Sequence, residues 1–132
     1  MPKMAHEFMN RDVLPDVIFS SISVRTRQTV GYIQEGLNYP EEHISFHEEI
    51  YEASTGSLLK FINSIKNEYQ SAMIVGHNPS ISYLCEYLTD EVIGNVPTGG
   101  ILKITFDFSS WELISKSTGS LEWTIFPKEL GF

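Results

Sequence analysis

Cysteine is nearly missing from this chain: Cys85 stands alone among 132 residues, so no disulfide can form within the chain. Stability must come from a packed core, and the cysteine usage points to a reducing, cytoplasmic setting. Positive charge is also scarce. Nine Lys and Arg face 17 Asp and Glu, a formal net charge of −8, and no basic cluster occurs anywhere. Nucleic-acid binding needs a basic footprint, so that class of partner is excluded. No apolar run approaches the roughly 20 residues of a membrane span, and no signal peptide is legible, which argues against a membrane role. The four histidines, His6, His43, His47 and His77, match no familiar metal-ligand spacing, and no metal is expected. The acidic balance repels anions at long range, so a phosphate site here would have to act through local donors.

What is present suits one globular domain over residues 1–132, with 42% hydrophobic residues and no repeat or linker-like stretch to divide it. Met4, Ala5, Phe8 and Met9 have helical spacing, and Leu14-Pro15-Asp16 ends that element. Val17-Ile18-Phe19-Ser20 reads as a buried strand. Thr26, Val30, Ile33 and Leu37 form the stripe of an amphipathic helix. The segment from His43 to Ile50 reads as extended. Leu58, Phe61 or Ile62, Ile65 and Tyr69 predict a second helix, 72–76 a second buried strand, and Ile81, Leu84, Cys85 and Leu88 a third helix. Beyond Pro97-Thr98-Gly99-Gly100 the period changes to two. Leu102, Ile104, Phe106 and Phe108, then Leu121, Trp123 and Ile125, predict an antiparallel pair at the sheet edge, with its turn at Ser117-Thr118-Gly119-Ser120. Strands alternating with helices, then a terminal hairpin, predict a three-layer α/β/α domain with a mostly parallel sheet.

Two segments carry chemistry. Gly76-His77-Asn78-Pro79 follows the apolar run Ala72-Met73-Ile74-Val75, which places His77 at the carboxyl end of a strand, where open α/β sheets build their sites. Pro79 suits a helix start. An imidazole there can carry a proton, receive a phosphoryl group or bond an anion; equally, the segment reads as an ordinary strand-to-helix turn. Ser20-Ser21-Ile22-Ser23-Val24-Arg25-Thr26-Arg27-Gln28-Thr29 runs from a strand end into a helix. Its hydroxyls, the free N–H groups of the helix start and the Arg25 guanidinium match a phosphate group. A Ser-capped helix with solvated arginines is the plainer reading of the same residues.

Taken in order, the serine pair, Arg25-Thr26-Arg27-Gln28-Thr29 and Gly76-His77-Asn78-Pro79 resemble the histidine phosphatase superfamily, and within it the SixA-type phosphohistidine phosphatases. Pro15-Asp16, Leu58-Leu59 after Tyr51-Glu52-Ala53-Ser54, Pro97-Thr98-Gly99-Gly100 and Pro127-Lys128-Glu129-Leu130 extend the likeness over residues 4–130. The resemblance implies a phosphoglycerate mutase-like fold and a phosphatase that needs no metal or organic cofactor. Its substrate would be a phosphohistidine-bearing protein or a small phosphate ester. Arg25 then grips the phosphoryl oxygens, and His77 is the second histidine of the pocket. Arg27, Gln28 and Asn78 are supporting residues, and Ser20 and Ser21 shape the pocket floor. Glu49 and Glu52 are the nearby acids available as proton donor, each also readable as a solvated loop carboxylate.

The same resemblance implies an opening strand that ends in Arg-His-Gly, whose histidine is the nucleophile. No Arg-His-Gly occurs in the sequence. The expectation is therefore an N-terminally incomplete domain whose first central strand is missing, with covalent catalysis removed along with it. Unpaired backbone groups inside a sheet cost about 1–3 kcal/mol each. Rearranged pairing, self-association through exposed sheet edges or a strand from elsewhere would close the gap. Three readings follow: a phosphohistidine phosphatase whose nucleophile lies outside this chain, a non-catalytic phosphate-binding or protein-interaction domain derived from that family, or a degenerate structural remnant that works only as an oligomer.

Overall fold

The computed structural model describes residues 14–51, 53–77, 79–94 and 101–125. Three parallel strands form one sheet: β1 (Val17–Ser21), β2 (Ile44–His47) and β3 (Ala72–Val75), in the order β2-β1-β3. Three helices cross between or follow them: α1 (Val24–Leu37), α2 (Thr55–Asn63) and α3 (Ser80–Thr89). An antiparallel pair, β4 (Ile101–Phe106) and β5 (Gly119–Ile125), closes the described chain. This is the mixed α/β architecture that the alternation of periods predicts.

The side-chain period of two in a strand explains the layers. Ile18 of β1 and Met73 and Val75 of β3 face one side, where Val30, Ile33 and Leu37 of α1 and Tyr39 cover them. Phe19 of β1 and Ala72 and Ile74 of β3 face the other, against Ile50, Leu58 and Ile62 of the α2 region and Leu84 and Leu88 of α3. Helices therefore cover both faces, and β1 is an apolar run because it is buried on both. Helix α1 begins as its sequence requires: the Ser23 hydroxyl accepts from Thr26 N–H at 3.2 Å. It ends at Asn38, in the left-handed region with φ 52°.

The strand starts are tied together by Asp16. Its carboxylate accepts from the N–H groups of Gln70 (2.7 Å) and Ser71 (3.3 Å), and its own N–H donates to the Ser71 hydroxyl (2.9 Å). Tyr39 adds a hydroxyl donated to Pro15 O at 2.7 Å. The Pro15-Asp16 pair thus sets the register of β1 against β3 from below.

Several sequence expectations need correction. The second helix stops at Asn63 rather than running on to Tyr69. The Asn63 amide turns outward to donate to Trp111 O and Ile114 O, and the Ser64 hydroxyl bonds back to Phe61 O, which closes the last turn. Ile65 is still buried, so its apolar spacing reported the core and not the helix. Only Ile44–His47 of the 43–50 segment is strand; 3-10 turns at Glu41–His43 and Glu48–Ile50 flank it. Residues 107–118, with a 3-10 turn at Trp111–Leu113, connect β4 to β5, so the Ser117–Ser120 signal marks the end of a long connection and not a tight hairpin. Ser117 there takes φ 59°. Among the described residues, β4 and β5 pair only with each other, and β3 pairs only with β1, so the hairpin is not hydrogen-bonded to the sheet edge. The expected helix at Met4–Met9 lies outside the described residues.

Gly119 opens β5 because nothing larger fits. A Cβ there would lie 2.6 Å from Ile104 Cγ2 and 2.8 Å from Phe106 Cε1. Gly119→Ala is expected to destabilise the domain by roughly 1–3 kcal/mol through overpacking, read as a lower urea midpoint at unchanged slope. An unchanged midpoint would show that the β4–β5 contact is looser than described.

Candidate active site

The carboxyl ends of β1 and β3 lie side by side, with Ser20 opposite Val75 in the parallel register. One residue further on, the chain leaves β1 through Ser21 and Ile22 into the N-cap of α1. The chain leaves β3 through Gly76 and His77 into Pro79, the N-cap of α3. Gly76 packs closely: a Cβ would come within 3.2 Å of Ile81 and 3.4 Å of Ile50, tight enough that either side chain would have to give slightly. Helix α3 starts tightly behind it, with Ile81 N–H donating to His77 O. The strand-to-helix placement expected from sequence is what the structure shows.

At this junction His77 and Ser21 meet. His77 Nε2 lies 2.8 Å from Ser21 Oγ. Ser21 is completely buried, whereas His77 is half-buried. The Ser21 backbone is fixed as firmly as its side chain, since its carbonyl accepts from Ser20 Oγ (2.9 Å) and Thr26 Oγ1 (2.8 Å). Ser20 and Thr26 are therefore braces for the β1 end. Tyr51 stands edge-on to the imidazole at 5.7 Å between ring centres. No periodicity singled out Tyr51, and its role as a wall of the His77 ring is legible only in three dimensions.

Arg25 occupies the first turn of α1 and is exposed. No acidic residue shares that turn. The partial positive charge of a helix start disfavours a cation, so an arginine there gains most when an anion joins it. Arg27 behaves differently. Its Nε donates to Ile22 O at 2.9 Å, and its guanidinium lies 4.4 Å over the Phe46 ring. Among the described residues no carboxylate is paired with either arginine. Arg27 thus ties the β1–α1 loop to Phe46 near the end of β2. Arg27→Ala is expected to cost about 0.5–1 kcal/mol of stability, the worth of an exposed cation–π contact, in thermal or urea unfolding. It should change oxyanion affinity far less than loss of Arg25 does.

The remaining candidates divide plainly. Gln28 is exposed on α1, and Glu49 is exposed in the turn after β2. Asn78 and Glu52 lie outside the described residues. His47, at the end of β2, is engaged by the Ser45 hydroxyl (2.7 Å) and by ring contacts with Phe19 and Phe61. Among the described residues no three His, Cys, Asp or Glu side chains converge as metal ligands. Cys85 is buried on α3, and burial, with Glu86 beside it, pushes its thiol up to about 11. A thiol in that state is inert at neutral pH, so it contributes packing and no nucleophile. No described helix is long and apolar enough to cross a membrane.

Comparison with known proteins bears on the fold. No protein-family model matches the chain, and no curated protein matches it. Solved structures do. A SixA phosphohistidine phosphatase structure from Agrobacterium tumefaciens superposes with a TM-score of 0.79 at 26% identity, covering 96% of this chain and 77% of that one. The protein histidine phosphatase SixA complexed with tungstate gives 0.81 at 23% identity, covering 98% and 80%. A SixA structure from Nakamurella multipartita gives 0.74 at 14% identity, covering 94% and 78%. The chain is thus similar in structure to SixA phosphohistidine phosphatases of the histidine phosphatase superfamily over most of its length.

Proposed function

From this kinship in fold we propose that the strand-end site is the phosphoryl-binding part of a phosphohistidine phosphatase of the SixA type. The supporting observation is that the His77 ring is held against the end of β1, the strand that leads into the helix start carrying Arg25, whose first turn holds no acidic residue. Phosphoryl transfer asks a protein mainly for positioning and for charge stabilisation on the phosphoryl oxygens. Arg25 supplies a fork of donors and a fixed positive charge, and the N–H groups of the α1 start that Ser23 does not engage add to them. His77 supplies a ring nitrogen for a phosphoryl oxygen. The tungstate in the relative's structure is an oxyanion of the same tetrahedral shape as phosphate. A phosphohistidine-bearing protein is the substrate this reading favours, with small phosphate esters sharing the same chemistry.

The histidine nucleophile of such a reaction is not supplied by an Arg-His-Gly segment of these 132 residues. That observation favours a second reading, a non-catalytic domain that binds phosphate or a phosphorylated partner. Calorimetric titration of the chain with orthophosphate and tungstate, beside a phosphatase assay, separates the two. Oxyanion binding with turnover supports the enzyme. Binding without turnover supports the binding domain for the chain itself. No binding of either oxyanion removes both.

A further inference from the structure

The contact between Ser21 and His77 has a chemical asymmetry. Ser21 Oγ is fully buried and already accepts from Ser23 N–H at 3.3 Å. It also lies 2.8 Å from His77 Nε2. A serine hydroxyl has one hydrogen to donate, and a neutral imidazole has one donor nitrogen and one acceptor nitrogen. If Nε2 carried the ring proton, the oxygen would accept twice, and its own hydrogen would be buried with no acceptor among the described residues. Leaving a buried donor unsatisfied is the costly arrangement. If the hydroxyl donates to Nε2, every group in the trio is satisfied, and the ring proton must sit on Nδ1.

We propose that Ser21 is a positioning residue of the site: its buried hydroxyl donates to His77 Nε2, fixes the ring's orientation and holds the neutral imidazole as the Nδ1–H tautomer. The inference rests on the reading of His77 as a phosphoryl-binding residue, because its consequence is that Nδ1–H is the donor presented to an anion. Among the described residues Nδ1 has no hydrogen-bond partner, and it is the ring nitrogen left for a ligand. The backbone beneath Ser21 is suited to this role. Its carbonyl is held by Ser20 and Thr26, and the β1–β3 register is set at the other strand ends by Asp16, so the hydroxyl has little freedom to turn away. A histidine tautomer is commonly set by the hydrogen bond at its other nitrogen, and here a neutral serine is that partner.

Long-range proton–nitrogen correlation on the ¹⁵N-labelled chain tests this directly. The His77 signals are assigned by loss in His77→Gln, at a pH where titration of the same signals shows the ring neutral. The expected spectrum shows Nδ1 protonated and Nε2 unprotonated. In Ser21→Ala the pattern moves to a mixture or to the Nε2–H form, and Ser21→Thr restores the original. Orthophosphate affinity should fall by roughly 2- to 10-fold in Ser21→Ala, the worth of one neutral hydrogen bond. A wild-type ring protonated on Nε2, or a tautomer unchanged in a folded Ser21→Ala, overturns the proposal. The wild-type spectrum decides even if neither variant folds. Should the tautomer be as expected while the chain binds neither orthophosphate nor tungstate, the positioning role stands and the phosphoryl-site reading fails.

Discussion

Arg25→Ala is expected to lower affinity for orthophosphate or tungstate by about 10- to 150-fold, the equivalent of the roughly 1.5–3 kcal/mol carried by hydrogen bonds to charged groups. The size follows from position. Arg25 is the guanidinium set in the first turn of α1, with no acidic neighbour in that turn to compete for it. The protein as a whole repels anions, with a formal net charge of −8, so affinity must be local. Because Arg25 is exposed, the effect should shrink as salt rises. Arg25→Lys should recover only part of the loss, since an ammonium keeps the charge and forfeits the planar fork. Calorimetry at low ionic strength is the measurement. Equal affinity in wild type and Arg25→Ala would remove Arg25 from the site.

Ile18→Ala is expected to be the most damaging single change to the fold. Ile18 is 0% exposed in β1, the middle strand of the parallel sheet. It pairs in register with Ile44 and Met73, and it packs under Val30, Ile33 and Tyr39. Truncating a buried isoleucine costs about 2–5 kcal/mol, through lost transfer energy and the cavity left behind. Typical domains hold only about 5–15 kcal/mol in total, so the variant should unfold at a much lower urea concentration. Val24→Ala is the control. Val24 is 73% exposed, and its loss should change stability by no more than about 0.5 kcal/mol. Similar urea midpoints for the two variants would show that β1 is not the centre of the core.

Much of the frame was legible because burial repeats with the period of each element. The stripe at Thr26, Val30 and Ile33 located α1, and those three residues are the buried ones. Leu84, Cys85 and Leu88 did the same for α3. The reading failed where apolar spacing continued past the end of an element. Ile65 is buried from beyond α2, because two hydrogen bonds from Asn63 to the 111–114 segment stop the helix, and residues 48 and 51 positions apart leave no local trace of each other. The Ser117–Ser120 turn signal was genuine chemistry assigned to too short a connection. The hairpin was placed at the sheet edge, but alternation shows that a strand has two unlike faces and says nothing about which strand it joins.

The site divides in the same way. Sequence by itself determined that His77 follows an apolar strand into a proline-led helix start, that Arg25 stands in the first turn of another helix, and that no thiol framework or basic cluster is available. These are local facts of residue type and order, and local chemistry fixes them. The strand before His77, expected to be buried, is only partly so at all four positions. Only the tertiary structure decided which serine meets the histidine. Ser20 and Ser21 are neighbours of one kind in the chain, yet the alternation of a strand sends one side chain back to brace the main chain and the other to Nε2 of a ring 56 residues away. That choice depends on the parallel register of β1 and β3, which Asp16 sets from the far end of the strands, and register is a property of two segments that neither encodes alone.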